Sequence, residues 1–520
     1  MNSFYGIKQS QWLKKAEKTR PVIHETRVEP VALIRTKADA KAWQGVKTEQ
    51  IPGGLQEFQK PYHWPKTWIF DFGRHVTGTI EIQWEISSLN DSPLRIDFKF
   101  AETPYELATD FETYHGHLDR SWLQDGALVL DEFQPVIRFS RRYAFRYVKL
   151  RLGAPNFDIH IKSVTAIAQS SAEDSRYTPI SADSCLTAQE IAIDKCSAWT
   201  LHECMQGLFE DGPKRDRRLW LGDLRVQALV NGVTYRNFDL VEHCLYILAG
   251  SCNEKGEIPG AAYALSHGFA ASCMVQTYAL LLGPMLLEHY RFSQNAKFCK
   301  ELYPVALRQI ELFRKLIDDK GMIIPGSYSW LFIDHDAELY KETPSLGLYL
   351  FSLRRTAELG ECLGMPHPEL TKEAEKLSKL LFQRCFDKET GLFRADDKNR
   401  QLSWATQVWF LLGEVVKGNA ARQVWSKMLK SPEAMRPHTP YLWCSVLEAG
   451  WMLGKNADVR KIIRDYWGGM LKRKLDTFPE VFVPENPMFS SYGDCLMNSD
   501  CHAWSCGAGY YLRLIADQQA

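Results

Sequence analysis

The period of the apolar residues changes once along this chain, near residue 170, and that change limits what each part can fold into. Between about Trp68 and Val164, apolar side chains recur at every second position. Ile80, Ile82, Trp84 and Ile86 fall on one side, with Glu81, Gln83 and Glu85 on the other. Leu94, Ile96, Phe98 and Phe100 alternate in the same way with Arg95, Asp97 and Lys99, as do Val148, Leu150 and Leu152, and then Ile159 and Ile161. A two-residue period belongs to strands with one buried and one wet face. Turn-forming clusters separate the runs, as at Asn90-Asp91-Ser92-Pro93 and Gly153-Ala-Pro-Asn156, so the expected architecture is an antiparallel β-sandwich.

Past residue 170 the spacing becomes helical. Ser171 to Pro179 is polar and reads as a link that can run in order along the second domain. Thr187-Ala-Gln-Glu190 is a capping box that opens a helix. About twelve helical stretches, separated by short Gly, Pro or Asn loops, fit between Leu186 and Ile515. Twelve helices suit a ring of six hairpins, the (α/α)6 barrel, with loops gathered at one end for a site. The predicted division is a β-sandwich over 1–170, a linker over 171–185 and the barrel over 186–520. No low-complexity tract or sequence repeat interrupts it.

A chain of 520 residues is long enough for several cores. Its 63 Lys plus Arg balance 63 Asp plus Glu, which removes the bulk attraction to nucleic acid or anionic membrane and favours a small or neutral partner. The first residues carry no basic region followed by an apolar run. The longest apolar stretch, Met274 to Leu287, is broken by Gln276, Thr277 and Pro284 and falls short of the roughly 18 residues that span a bilayer. All thirteen cysteines lie at or after Cys185 without a CxxC pair, which argues against a disulfide framework or a zinc ribbon. A soluble protein with reduced thiols, in the cytoplasm, is the expectation.

Chemistry concentrates in Asp211-Gly-Pro-Lys-Arg215-Asp216-Arg217-Arg218-Leu-Trp220-Leu-Gly-Asp223, which packs three carboxylates, three arginines and a tryptophan into thirteen residues. Reactions on a sugar need such a set: carboxylates to move protons and bind hydroxyls, an Arg to orient them, and an aromatic face for the apolar side of the ring. Taken alone, a cluster of Asp and Arg is more often a solvated ion-pair network. Trp330, Trp404 and Trp443 are as readily core as site, and Asp334 and His335 are expected at a rim. The mixed basic and aromatic run Arg138 to Arg146 is explained by strand alternation. His202-Glu203 lacks the second His of a zincin helix, and no phosphate-binding glycine loop or dinucleotide fingerprint is present. No metal or cofactor is called for.

The thirteen-residue stretch resembles the Asp-Cys-Pro-Gln-Arg-Asp-Glu-Arg-Leu-Gly-Trp-Thr-Gly-Asp signature of bacterial α-L-rhamnosidases, glycoside hydrolase family 78. Distant positions agree. Asp71-Phe-Gly73 followed by Gly78, Ala101-Glu102 and Phe145-Arg-Tyr-Val148 resemble landmarks of the family's β-sandwich. Thr439-Pro-Tyr-Leu442 resembles a barrel segment, and Asp500-Cys-His502-Ala-Trp-Ser-Cys-Gly507 resembles Leu-Asn-His-Tyr-Ala-Tyr-Gly. The likeness runs from about residue 67 to the end.

The resemblance implies an inverting glycosidase that releases terminal α-L-rhamnose from small glycosides. Its base is a Glu about twenty residues before the terminal His; Glu480 stands twenty-two before His502. The resemblance also implies hydroxyl binding by Asp211, Arg215, Asp223 and His502, with Trp220 and Trp330 as apolar walls for the C6 methyl group. The stretch is one residue shorter than the signature, and aligned from Arg215 the family's acid slot holds Arg217. The nearest carboxyl is Asp216, which is preferred as the general acid, with Asp223 as its rival. Arg215 and Arg217 beside Asp216 oppose that role, because cations favour the charged carboxylate. A homodimer is in keeping with a compact enzyme of this kind. A six-hairpin glycosidase for another sugar and a sugar-binding relative without catalysis are the competing readings, since fold alone does not fix function.

Overall fold

The computed structural model describes residues 4–62, 65–86, 93–153, 158–181, 183–265 and 267–518. Nine antiparallel strands form the N-terminal domain: β1 (His24–Val28), β2 (Ala32–Ala38), β3 (Val46–Gln50), β4 (Lys66–Ile86), β5 (Leu94–Ala101), β6 (Asp125–Leu130), β7 (Val136–Arg138), β8 (Tyr143–Leu152) and β9 (Ile159–Ser170). Their order is β1-β9-β4-β8-β5-β6, with β2 and β7 also paired to β4 and β3 paired to β2.

The long strand β4 organises this sheet. Its register with β8 jumps between Asp71 and Val76, and Gly73 takes φ 74° inside the jump, where a residue with a Cβ is strained. This bulge turns His75 into the interior, where it is 1% exposed. The two-residue alternation holds on both sides. Ile80, Ile82, Trp84, Ile96, Val148, Leu150 and Ile161 join Phe70 and Phe145 in one apolar core. The turns expected at Asn90-Asp91-Ser92-Pro93 and Gly153-Ala-Pro-Asn156 lie outside the described residues, apart from Pro93 and Gly153.

The opening of the chain departs from the expected β unit over 1–170. Residues Ile7–Lys18 form a helix whose Trp12 and Ala16, one turn apart, are buried in the helical domain's core. Trp12 Nε1 donates to Glu301 Oε1 at 2.8 Å. Residues after the sheet also lie along the helices: Ser171 N donates to Met205 O at 2.7 Å and Thr178 N to Thr234 O at 3.2 Å.

The helical domain begins at Ala188–Cys204, where Thr187 and Glu190 make the expected capping box. Six helices touch in a closed inner ring: Leu221–Val233, Leu282–Ser293, Glu342–Cys362, Trp404–Leu412, Pro440–Met452 and Ala508–Asp517. Outside them lie Ala188–Cys204, Phe238–Gly250, Ala296–Arg314, Pro368–Cys385, Gly418–Lys430 and the run from Asn456–Ile462 to Gly468–Leu471. The two rings differ in sequence as their positions require. Every residue of Trp404–Leu412 is buried, whereas Gly418–Lys430 buries only Ala421, Val424, Trp425 and Met428, a single helical stripe. The thirteen cysteines are all unpaired. No described helix is long and apolar enough to cross a membrane.

Candidate active site

The stretch Asp211 to Trp220 crosses one end of the inner ring and feeds directly into Leu221–Val233. It is pinned at both ends: Asp211 N donates to Arg218 O at 2.9 Å, Arg218 N donates to Asp211 Oδ1 at 3.0 Å, and Ala503 N donates to Asp211 O at 2.8 Å. Between these ties Asp216 and Arg217 adopt φ of 62° and 52°, the left-handed region, which costs a non-glycine residue on the order of 1–3 kcal/mol. Arg217 holds the turn. Its Nε donates to Pro213 O at 2.8 Å and its Nη2 to Arg142 O at 2.9 Å. The residue that falls in the acid slot of the signature therefore points away toward the β domain. Gly222 is a close-approach position: a Cβ there would lie 2.3 Å from the Tyr278 ring, which packs against the Asp223 carboxyl.

All eight residues named from the sequence line one cavity of about 490 Å³: Asp211, Arg215, Asp216, Trp220, Asp223, Trp330, Glu480 and His502. Glu480 comes from a loop antiparallel to the segment before His502; its N–H donates to Ser499 O at 2.9 Å, and His502 N–H donates to Phe478 O at 2.9 Å. The Glu480 carboxylate is clamped by Arg215 Nη2 and by the Tyr492 hydroxyl at 2.5 Å, with His335 Nε2 at 3.6 Å. Burial alone would raise its pKa, but Arg215 and then His335 reverse the sign and hold it well below the ordinary carboxylate range. Glu480 is an ionised acceptor.

Asp211 and Asp223 behave oppositely. Burial, reinforced by neighbouring carboxylates (Asp216 and Asp223 for Asp211, Glu480 and Asp216 for Asp223), pushes both well above the usual range. His502 sits between them, with Nε2 3.8 Å from Asp211 and Nδ1 3.7 Å from Asp223. Burial lowers its pKa to about 3, so it is neutral. Asp223 Oδ1 and His502 Nδ1 are buried without a hydrogen-bond partner among the described residues, as groups awaiting a polar ligand are. Asp216 retains 18% side-chain exposure, and its carboxylate is 3.6 Å from Arg215 Nη1. Trp220 and Trp330 meet edge to face at 5.8 Å, with Trp330 exposed at the mouth.

Several lining residues carried no signal in the sequence. Tyr492 lies in an irregular loop, yet Arg215 stacks over its ring at 4.2 Å. Tyr278 and Phe332 complete the wall beside Trp504 of the Asp500–Gly507 motif, and His117 reaches the cavity from the β domain. Of the two expected rim residues, His335 lines the cavity. Asp334 does not: it is 1% exposed and accepts from Thr439 N at 3.0 Å and His438 N at 2.7 Å, fixing the start of Pro440–Met452. Trp404 and Trp443 are buried outside this cavity.

Behind the site, charged groups tie the two domains together. Lys214, next to Arg215, bonds Glu106 of the β domain and donates to Leu496 O at 3.0 Å and Asn498 O at 2.8 Å. Glu102 accepts from Asp500 N at 2.7 Å. His75 bridges Glu102 and Glu203 at 3.0 and 2.9 Å. Burial lowers the His75 pKa, but the two carboxylates outweigh it and raise it from 6.5 to about 10. Glu203, raised by burial and lowered by His202 and His75, falls from 4.5 to about 2. The His75 contribution to stability is complete below its unfolded pKa of 6.5 and is lost as pH rises through about 10. The melting temperature is therefore expected to fall between about pH 7 and pH 10 more steeply for the unaltered protein than for His75→Gln. Calorimetry across that window checks it, and equal slopes would refute it.

Paired carboxyl-bearing loops facing one cavity, with tryptophan walls, at the end of a six-hairpin ring define a glycoside hydrolase. The sequence matches the model of the glycosyl hydrolase family 78 α-rhamnosidase N-terminal domain over residues 30–168. It matches that of the bacterial α-L-rhamnosidase six-hairpin glycosidase domain over residues 190–512. A rhamnosidase from Klebsiella oxytoca, solved with rhamnose bound, is 34% identical; the match covers 97% of this chain and 98% of that one, at a TM-score of 0.92. The family 78 rhamnosidase of Bacillus sp. GL1 aligns at 20% identity and a TM-score of 0.74, over 90% of this chain and 49% of its own. The Streptomyces avermitilis α-L-rhamnosidase complexed with L-rhamnose aligns at 14% identity and 0.66, over 95% of this chain and 44% of its own. No curated protein matches the sequence. The chain belongs to glycoside hydrolase family 78, the α-L-rhamnosidases.

Proposed function

We propose that this α-L-rhamnosidase releases terminal L-rhamnose from small rhamnosides in one displacement with inversion, with Glu480 as general base and Asp216 as general acid. The observation that carries the reading is the Arg215, Tyr492 and His335 clamp on Glu480, which keeps that carboxylate ionised and able to take a proton. In the step, Glu480 removes a proton from water as the water oxygen bonds to C1. The C1–O bond to the aglycone breaks, and Asp216 gives its proton to the departing oxygen. Asp216 suits the donor's place because it alone of the three aspartates is partly open to the cavity, where a leaving group must pass.

Asp211, Arg215, Asp223 and His502 then hold the sugar's hydroxyls. Trp220 and Trp330 offer an apolar surface to the C6 methyl. A second reading, Asp223 as acid, is favoured by its raised pKa. Leaving groups separate the two. A 4-nitrophenolate departs with little protonation, so Asp216→Asn is expected to cost far less kcat on 4-nitrophenyl α-L-rhamnoside than on an alkyl rhamnoside, where a general acid contributes about 10²–10⁴-fold. If Asp223→Asn shows that pattern and Asp216→Asn does not, the assignment is reversed. Proton NMR of the first-formed rhamnose decides inversion. Trp330→Ala is expected to raise KM several-fold with little change in kcat; an unchanged KM would remove it from the sugar site.

The thirteen unpaired cysteines support a reducing, cytoplasmic setting, in line with small substrates. A homodimer rests on the resemblance alone, and light scattering tests it.

A further inference from the structure

The wall of the sugar cavity is not made by the barrel alone. Its lining grades from buried, at Asp211, Asp223 and His502, to exposed, at Ser272, Trp330 and His117. The exposed residues mark the mouth. Ser272 and Trp330 stand on loops of the helical domain, whereas His117 and its half-buried neighbour Leu118 come from the β domain. They lie in an irregular segment between the short 3-10 turns Phe111–Thr113 and Arg120–Trp122.

Contacts across the domain boundary fix this segment in place. His117 N donates to Tyr492 O at 3.0 Å. His115 meets Asp494 Oδ2 twice, through its backbone N–H at 3.3 Å and its ring Nδ1 at 3.1 Å. Leu118 packs on an apolar cluster that joins Phe111 and Leu123 of the β domain to Leu496 and Met497 of the helical domain, and its carbonyl accepts from the Tyr114 hydroxyl at 2.9 Å. A loop anchored in this way presents its side chains at a defined place, as binding loops on a rigid scaffold do. The His117 ring itself is uncommitted. It lies 5.9 Å from the Tyr492 ring, makes no hydrogen bond among the described residues and lines the cavity.

We propose that His117 and Leu118 form the aglycone side of the site, so that the β domain selects what the rhamnose is attached to. This rests on the reading above, in which the terminal sugar is held at the buried end by Asp211, Asp223 and His502. A substrate seated there leaves the part beyond the scissile bond in the mouth, against the exposed lining. An imidazole keeps at least one ring N–H donor in either tautomer, and Leu118 adds an apolar edge beside it. The pair therefore suits an aglycone that carries a hydroxyl near the linkage and an apolar ring face, as a second sugar ring does.

Substrates that share the rhamnosyl group and differ in the leaving group test it: α-L-rhamnosyl fluoride, 4-nitrophenyl α-L-rhamnoside and an α-L-rhamnosyl-glucose disaccharide. Truncation of Leu118 would loosen the apolar cluster, so the deciding variant is His117→Ala, whose backbone N–H keeps the tie to Tyr492. It is expected to lower kcat/KM about tenfold on the disaccharide, the worth of a hydrogen bond to the aglycone, and less on the 4-nitrophenyl rhamnoside. On the fluoride, which has no aglycone, kcat/KM is expected to stay within about twofold, with an unchanged melting temperature. Equal loss on every substrate, no loss on the disaccharide, or loss on the 4-nitrophenyl rhamnoside alone would overturn the proposal. Asp223→Asn in the same assays separates it from the reading beneath it. That variant is expected to slow all the substrates alike, because it touches the sugar they share; if it spared the fluoride, the terminal sugar would not lie at the buried end and both would fall.

Discussion

Glu480→Gln is expected to lower kcat on α-L-rhamnosides by about 10²–10⁴-fold while the protein stays folded. The amide keeps the volume of the side chain and an oxygen for the Tyr492 hydroxyl, now at 2.5 Å, but it cannot take a proton from water. It also removes the nearer of the two carboxylates beside the buried Arg215, so some loss of thermal stability accompanies the loss of rate. Azide separates the two effects. As a nucleophile that carries no proton to remove, it needs no base; it attacks C1 directly while the acid still protonates the departing oxygen. Added azide is thus expected to restore turnover in Glu480→Gln and to yield the inverted rhamnosyl azide. A variant that keeps more than a tenth of the original kcat without azide would remove Glu480 from the base role.

Arg215→Gln is expected to move the acid side of the kcat/KM profile upward in pH. In the intact protein the guanidinium overcomes the burial of Glu480 and holds its pKa well down. Remove it, and burial prevails, raising the pKa. A base works only when ionised, so activity then fails at a higher pH as the medium is acidified. The buried pair is also structural: Arg215 Nε donates to Met497 O at 3.0 Å and its plane covers Tyr492. Loss of one partner of a buried ion pair costs roughly 3–5 kcal/mol, visible as a lowered melting temperature. An acid limb that stays in place would show that another group sets the Glu480 pKa.

The division into a sheet and a helical ring was legible because burial imposes different periods on strands and helices, and the alternation around Ile80 to Trp84 and the stripe Ala421 to Met428 are direct records of it. The eight residues that line one cavity at the end of the ring were picked out through order and spacing along the chain. What escaped the sequence was contact across it. Tyr492 reaches Glu480 from a loop with no period, and nothing local to Tyr278 or Phe332 marks which wall they complete. Asp334 was misplaced at the rim for the same reason: an Asp that fixes a helix start and one that binds a sugar look alike until their partners are seen. The helix Ile7–Lys18 was missed because its small apolar stripe finds its partner far along the chain, beside Glu301.

The bond from Lys214 to Glu106 bears on how such a protein can be rearranged by recombination. A barrel cut free of its β domain would keep its twelve helices on paper, yet it would carry a buried ammonium beside the sugar pocket and the Glu203 carboxylate, both stripped of the opposite charge that the severed domain supplies. Exchange of the barrel onto another sheet is therefore expected to give a stable protein where the new sheet brings its own equivalents of Glu106 and His75.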